Sequence, residues 1–260
     1  MKKKKRYIVI LVGLAIYVVI MLLALGNDLQ IPSKDELTLI VEDSTIWSYS
    51  EGKWLNITNE KTIESLNWLD YNVYIENKKI GNYYLWNDDS NWYIFDDNKQ
   101  AIPKDGTLLA YRSNYDIKVK KFSSQEIRNY YHVTKVLQDN NLNVPTSYEL
   151  ATQTTLDIDN DGQKETFYFV SNAFPIEGNP DKVFSFVFMV KNSEIYPIYS
   201  EIDKNEGVNG CRPFLTAVLD IDEDNKYEMV ISCRKYSIQK PVVMLYKLTE
   251  EGFKIIISNQ

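Results

Sequence analysis

The chain has one histidine, His132, and two cysteines, Cys211 and Cys233, among its 260 residues. Two thiols and one imidazole fall short of the four ligands of a structural zinc site, and they offer no adjacent Cys–His pair for nucleophilic catalysis. The G-x-S-x-G, H-E-x-x-H and P-loop motifs are also absent. We therefore expect His132 to be a surface or hydrogen-bonded histidine, and we predict no catalytic residues.

Glycine and proline are scarce, with ten and eight residues, whereas aromatic residues make up 13% of the chain. This composition argues against disorder and favours a globular protein rich in β-strands. All five tryptophans lie between positions 47 and 92. They could form platforms that stack on the sugar rings of a cell-wall glycan, but we favour their burial in the core of a small β-domain.

Long hydrophobic runs are absent, with one exception at residues 7–25. These nineteen uncharged residues would form a helix of about 28 Å, close to the roughly 30 Å hydrocarbon core of a membrane. The five basic residues at positions 2–6 should stay in the cytoplasm by the positive-inside rule. The sequence thus predicts a single-pass anchor in the cell membrane with the C-terminal domain extracytoplasmic. The alternative is a signal peptide cleaved at Ala24-Leu25-Gly26.

The net charge is −7, and without the five N-terminal basic residues the remainder carries −12. Such an acidic domain repels nucleic acid and anionic lipid headgroups, so we expect no nucleic-acid partner. An acidic domain is suited to binding cations or basic partners. The alternative is that the excess of acidic residues only keeps the domain soluble. The expected partners are the membrane, through residues 7–25, and an envelope ligand or protein that the sequence leaves unidentified.

The residue pattern divides the chain into five segments. They are a basic stub with the anchor (1–26), a spacer (27–37), a strand-rich region (38–122), a helix with a linker (123–144) and a two-unit repeat (145–260). In the strand-rich region, Glu51-Gly52 has the composition of a two-residue hairpin turn. Ser123 and Glu126 have capping-box spacing before an apolar stripe, which predicts a helix from Ser123 to about Asn140.

The repeat is marked by two acidic loops, Leu156-Asp-Ile-Asp-Asn-Asp-Gly-Gln-Lys-Glu165 and Leu219-Asp-Ile-Asp-Glu-Asp-Asn-Lys-Tyr-Glu228. Both place carboxylates at positions 1, 3, 5 and 9, and they lie 63 residues apart. Each unit runs strand, acidic loop, strand, hairpin, and a four-stranded unit of this length fits a β-propeller blade. We therefore predict a mostly β protein: an N-terminal transmembrane helix, then a β-propeller-like extracytoplasmic domain with one amphipathic helix.

Alternating carboxylates in a tight loop turn several hard oxygens inward, and calcium binds such oxygens at about 2.3–2.6 Å. Without a cation the four carboxylates would repel one another. Position 6 requires a positive φ, which Gly162 adopts freely and Asn225 tolerates. An EF-hand would need Glu at position 12, where Tyr168 and Ile231 stand, and helical rather than strand-like flanks. The loops therefore predict structural Ca²⁺ sites between strands.

A Glu at position 9 followed by a strand resembles the FG-GAP repeats of integrin α-type β-propellers and related bacterial repeats, over residues of about 145–260. The Phe-Gly and Gly-Ala-Pro signatures of that family are absent here. The resemblance implies four side-chain ligands and one backbone carbonyl per loop. They are Asp157, Asp159, Asp161, Glu165 and the carbonyl of Gln163, then Asp220, Asp222, Asp224, Glu228 and the carbonyl of Lys226. Two units cannot close a propeller, so either the first half supplies further blades or the fold is only propeller-like.

The two cysteines belong to the hairpin around the second loop, and outside the cytoplasm Cys211 and Cys233 can form a disulfide. Together these patterns predict a membrane-anchored, non-enzymatic binding or interaction protein of the bacterial envelope, stabilised by calcium. Two alternatives stay open: a glycan-directed envelope hydrolase with paired carboxylates, and a purely structural surface protein. A pocket with two carboxyl groups about 5–9 Å apart, away from both loops, would favour the hydrolase.

Overall fold

The computed structural model describes residues 36–42, 44–88, 91–144, 151–172, 183–203, 210–235 and 241–259. These residues form eighteen β-strands and two short helices, so the prediction of a mostly β protein is confirmed. The predicted membrane segment, residues 7–25, lies outside the described residues. Within the described ranges, no helix has both the length and the apolar character needed to cross a membrane.

Eight strands of the first region pair antiparallel into one sheet. They are β1 (Leu37–Val41), β2 (Thr45–Ser50), β3 (Lys53–Asn56), β4 (Asp70–Ile75), β5 (Lys78–Asn87), β6 (Trp92–Phe95), β7 (Ala101–Ile102) and β8 (Leu108–Arg112). Their order across the sheet is β3-β2-β1-β8-β4-β5-β6-β7. The predicted turn Glu51-Gly52 joins β2 to β3, and its φ angles of 51° and 78° are those of a type I′ hairpin turn.

The repeat forms two further antiparallel sheets, each with four consecutive strands of the repeat and one short strand from residues 118–126. The second sheet contains β10 (Ser124–Glu126), β11 (Thr152–Leu156), β12 (Glu165–Ser171), β13 (Val183–Lys191) and β14 (Glu194–Asp203), in that order. The third contains β18 (Gly252–Ser258), β17 (Val242–Thr249), β16 (Glu228–Lys235), β15 (Cys211–Asp220) and β9 (Lys118–Val119), in that order. Each acidic loop therefore joins the first two strands of its unit, as the repeat predicts.

The predicted helix from Ser123 is wrong in its first half. The described residues also contain two helices, whereas the sequence predicted one. Ser124–Glu126 is strand β10, whereas the helix, α2, spans only Tyr131–Asp139. Pairing with β11 gives this segment long-range hydrogen bonds, including one between the hydroxyls of Ser124 and Thr154 at 3.0 Å, which override the local capping pattern. A further helix, α1 (Glu60–Ser65), is too short to leave a periodic signal in the sequence.

The three sheets stack face to face, with the third sheet in the middle. Alternate residues of β16 serve its two faces: Met229 and Ile231 belong to a buried cluster with the second sheet, and Val230 to a cluster with the first. Val133 and Leu137 of α2 are buried on the outer face of the second sheet. The first and second sheets lie on opposite faces of the third and share no buried cluster, so the described residues form a stack of three sheets and not a closed propeller ring.

Candidate metal centres

Each acidic loop brings three of its four predicted carboxylates into one group. Three ligand oxygens in each loop, one per residue, lie within 4.8 Å of one another. The groups are Asp157, Asp159 and Glu165 in the first loop and Asp220, Asp222 and Asp224 in the second. Two oxygens bound to one calcium ion lie at most about 5 Å apart, so this spacing permits a shared ion.

The conformation of the first loop is set by its own side chains. The carboxylate of Asp157 accepts from the N–H groups of Asp161 and Gly162, both at 3.1 Å. Position 6 has the positive φ that the sequence predicts, 87° at Gly162 and 63° at Asn225. Position 4 of each loop is also left-handed, with φ of 56° and 60°. Two left-handed residues per loop turn the chain tightly enough to bring positions 1, 3 and 5 together.

The glutamate at position 9 closes the neck of each loop. Glu165 is fully buried and Glu228 is 2% exposed. One oxygen of each accepts, at 3.0 Å, from the N–H of the isoleucine at position 2, which is Ile158 or Ile221. Because the same bond recurs in both loops, the ninth-position glutamate has a backbone-bracing role that the sequence did not reveal.

A lysine from the third strand of the unit lies among the carboxylates of the first loop. The Nζ atom of Lys191 is 2.8 Å from Asp159, 2.8 Å from Asp161 and 3.0 Å from Glu165. Its side chain is only 22% exposed. The three carboxylates that were predicted to surround calcium therefore surround an ammonium group of this chain.

The second loop repeats the arrangement with Lys247. Its Nζ atom contacts Asp222 and lies 3.0 Å from Asp224 and 3.3 Å from Glu228. Asp220 at position 1 is instead 3.4 Å from the Nζ atom of Lys118. Of the four predicted carboxylate ligands in each loop, those of the first contact one lysine and those of the second contact two. The second loop also has a fifth carboxylate, Glu223, so the two loops have the same net charge once these lysines are counted.

Strand register explains why both loops acquire a lysine, and why the sequence did not show it. The residue before each lysine pairs with the residue after the ninth-position glutamate: Val190 with Thr166, and Tyr246 with Met229. Each lysine thus enters its loop from the neighbouring strand. A correct alignment of the two hairpins could have identified Lys191 and Lys247, but composition and spacing along the chain could not.

Several buried carboxylate oxygens have no hydrogen-bond donor. Among the described residues, Oδ1 of Asp159 and Oδ1 of Asp220 are such atoms, and Asp220 has a side-chain exposure of 0%. An unpartnered buried oxygen is costly, so these atoms mark where an added cation would gain most. The amides of Gln163 and Lys226 donate to Asp161 and Asp224 at 2.7 and 2.8 Å, and the role of their carbonyls stays a prediction.

The charges in the loops shift the pKa values of their members. Hydrogen bonds from Lys191 and from the Gln163 amide hold the pKa of Asp161 below its usual value. Hydrogen bonds to Asp159 and Asp161 raise the pKa of Lys191, so this ammonium stays protonated at physiological pH. Burial raises the pKa of Glu228 to about 7, against the lowering effect of the Ile221 amide.

Glu228 therefore makes stability depend on pH. Its pKa rises from 4.5 to about 7 on folding, so between these values the folded state binds more protons than the unfolded state. In chelator, we expect the free energy of unfolding to fall by about 2–3 kcal/mol between pH 5 and pH 8 because of this group. Urea unfolding at both pH values measures the change. Glu228→Gln should flatten the dependence, and equal slopes in the two proteins would contradict it.

The remaining candidate residues lie apart from the loop carboxylates. Cys211 and Cys233 are joined in a disulfide across β15 and β16, with Cα atoms 5.4 Å apart and both side chains fully buried. His132, on α2, contacts the rings of Tyr131 and Tyr168 at centroid distances of 5.2 and 6.1 Å. Neither feature completes a catalytic set.

Comparison with known proteins gives no independent support for the proposed role of the two acidic loops. The resemblance to FG-GAP repeats rests on the residues of the loops, their spacing and the four-stranded units. Comparison with protein-family models, with curated proteins and with solved structures finds no match to this chain.

Proposed function

We propose that this chain is a membrane-anchored, extracytoplasmic binding protein of the bacterial envelope, non-enzymatic, in which calcium fixes two loops of propeller-like units. One observation carries the proposal: two loops at equivalent points of two four-stranded units each hold the carboxylates of positions 3, 5 and 9 around one point, which is a lysine Nζ atom. A convergence that recurs with the same register has the form of a binding site rather than of a surface acidic patch.

Calcium is the cation that the donor set favours. All side-chain donors are carboxylate oxygens, which are hard ligands, and the loops have the left-handed positions that let such ligands converge. Lys191 and Lys247 take the place of the ion in the absence of calcium, so binding would require each lysine to withdraw towards solvent. This competition makes the sites weak, and the first loop, which has the conformationally free Gly162 at position 6, should bind more tightly.

The location rests on two features of different kinds. Residues 7–25 have the length and the basic flank of a single-pass anchor with its C-terminal side outside. The Cys211–Cys233 disulfide is a bond that persists in oxidising compartments, which supports an extracytoplasmic position for the third sheet.

The propeller-like assignment rests on the two repeat units. Each is a four-stranded antiparallel meander, and the faces of the second and third sheets share one buried cluster. Blades of a propeller are built and packed in this manner. In the proposed protein the blade edges and the first sheet offer the ligand surface, while the calcium loops hold the strand ends in place.

A thermal melt of residues 27–260 tests the calcium proposal, since all four buried clusters consist of residues within this range. Sites with dissociation constants of about 10⁻⁴–10⁻³ M would each add about 0.4–1.4 kcal/mol at millimolar calcium. We expect the melting temperature to rise by about 2–11 °C with calcium and to return with chelator.

The matched control is the variant Asp159→Asn with Asp222→Asn, which keeps the shape of both loops but removes one charge from each. It should lose most of the calcium shift, and magnesium should give a smaller shift than calcium in the wild type. An unchanged melting temperature, together with no heat in a calcium titration, would remove calcium from the proposal.

A further inference from the structure

Five aromatic side chains form a group at one end of the first sheet, which we call the aromatic end: Trp68, Tyr84, Trp86, Tyr93 and Phe95. Trp68 is 44% exposed and Tyr93 is 40% exposed. Their rings touch in pairs, Trp68 with Phe95 at a centroid distance of 5.0 Å and Trp86 with Tyr93 at 5.6 Å. This is an unusual concentration of large apolar surface on an otherwise acidic domain.

The aromatic end projects beyond the rest of the sheet. Strand β4 begins at Asp70, opposite Tyr84, whereas β5 continues to Asn87, opposite Trp92. The β5–β6 hairpin therefore extends about 10 Å further than its neighbour. The third sheet packs on residues of β1, β2, β4 and β8, so the same face of β5 and β6 is left uncovered by it.

The backbone holds the most exposed ring outward at a conformational cost. Trp68 has a φ of 60°, in the left-handed region that bulky residues avoid. Its N–H donates to the carbonyl of Leu85 at 2.7 Å, which fixes the residue against β5. Strain of this kind persists where the surrounding structure imposes it, often at functional positions.

The chain enters the domain at the same end. Leu39 of β1 and Asn72 of β4 both pair antiparallel with Tyr111 of β8, so β1 and β4 start at one end of the sheet. Strands β1 and β5 are separated by β8 and β4, a distance of about 14 Å. Residues 26–36 link the predicted anchor to β1, and eleven residues reach at most about 38 Å. The linker is therefore short enough to limit the distance from the membrane and leaves the aromatic end free to reach it.

We infer that the aromatic end lies in the headgroup layer of the membrane and sets the orientation of the extracytoplasmic domain, an inference that rests on the proposed anchor. Tryptophan and tyrosine favour this layer because their rings are apolar while their N–H and O–H groups stay hydrated. The domain charge of −12 makes apolar burial, not attraction to anionic lipid, the driving force.

Stacking on a soluble glycan fits these rings less well. Sugars stack on free ring faces, but the Trp68 ring is in contact with Phe95 and has the Lys99 ammonium 5.6 Å from its centroid. Trp86 is likewise tilted against Tyr93 by 41°. Rings that pack against one another expose their edges to solvent rather than free faces on which a sugar could stack. Such a group is better suited to insertion in the headgroup layer of a membrane.

Tryptophan fluorescence of the full chain in phosphatidylcholine vesicles tests the inference, because no tryptophan lies in residues 1–46. Lipids brominated near the headgroup should quench part of the emission. The variant Trp68→Phe with Trp86→Phe should lose at least half of that quenching. Trp92→Phe is the matched control, since Trp92 lies next to Tyr93 on the buried face of β6 and is 1% exposed.

The outcomes separate this inference from the proposed function. If the protein floats with the vesicles and the double variant loses its quenching, the inference is supported. Protein that floats but is not quenched, or that is quenched equally in all variants, would overturn the inference and leave the anchor intact. Protein that does not float would refute the anchor and the inference with it. A change of tryptophan emission with soluble peptidoglycan fragments, without lipid quenching, would assign the aromatic end to glycan instead.

Discussion

Replacing Lys191 with methionine should make the first loop dependent on calcium. Without the ammonium, Asp159, Asp161 and the fully buried Glu165 lose their shared cation. Removing one partner of a buried ion pair costs about 3–5 kcal/mol, so in chelator we expect a melting temperature lower by about 6–20 °C. The same change removes the competitor of the ion, so the calcium dissociation constant of this loop should fall at least about tenfold, equivalent to about 1.4 kcal/mol. Differential scanning calorimetry and calcium titration measure the two effects.

Lys164→Met is the matched control for this variant. Lys164 lies in the same loop and its side chain is exposed, so its removal changes the loop charge equally without emptying the carboxylate group. The control should melt close to the wild type in chelator and should bind calcium only slightly more tightly. If Lys191→Met and Lys164→Met behaved alike in both measurements, Lys191 would not be the cation of the first loop.

Removing the disulfide should destabilise the protein by a similar amount. The bond between Cys211 and Cys233 has a sequence separation of 22 residues, and closing a loop of that size in the unfolded chain is worth about 3 kcal/mol. The double variant Cys211→Ala with Cys233→Ala should therefore melt about 6–12 °C lower than the wild type. The carbonyl of Cys211 accepts from the hydroxyls of Ser171, at 2.7 Å, and Ser185, so loosening β15 also weakens its contact with the second sheet.

Reduction of the wild type provides the control for the double alanine variant. Dithiothreitol should lower the melting temperature of the wild type to near that of the variant and should leave the variant unchanged. Because both cysteines are fully buried, reduction should be slow below the melting transition and fast within it. Rapid reduction of the folded protein, or a variant as stable as the wild type, would contradict this account.

The strands were largely predictable because their signal is local. Residues Thr45–Ser50 and Trp92–Phe95 are rich in β-branched and aromatic side chains, and Leu108–Arg112 is a short run with two leucines and a tyrosine. The structure has strands with those bounds. The turn at Glu51-Gly52 was equally clear, since glycine there supplies a positive φ that hairpin turns need. Side-chain sterics and turn chemistry act over a few residues, so a sequence can reveal them.

The structure of the segment around residue 120 was not predictable from local sequence patterns. Lys118–Val119 and Ser124–Glu126 add edge strands to two different sheets, and Lys118 and Lys120 reach the second and first acidic loops. A capping-box pattern favoured helix at Ser123, but pairing with β11 provides more hydrogen bonds than a helix start would. Long-range pairing depends on which strand edges are left open, and no pattern within the segment encodes that.

In the two acidic loops, too, some features were predictable from the sequence and others were not. The sequence by itself determined which carboxylates converge, because alternate residues of a tight loop turn to one side, and it determined where the chain must take a positive φ. Only the tertiary structure decided what neutralises them. Lys191 and Lys247 enter from neighbouring strands through a register that the packing of whole sheets fixes, and each lysine stands where a calcium ion was expected.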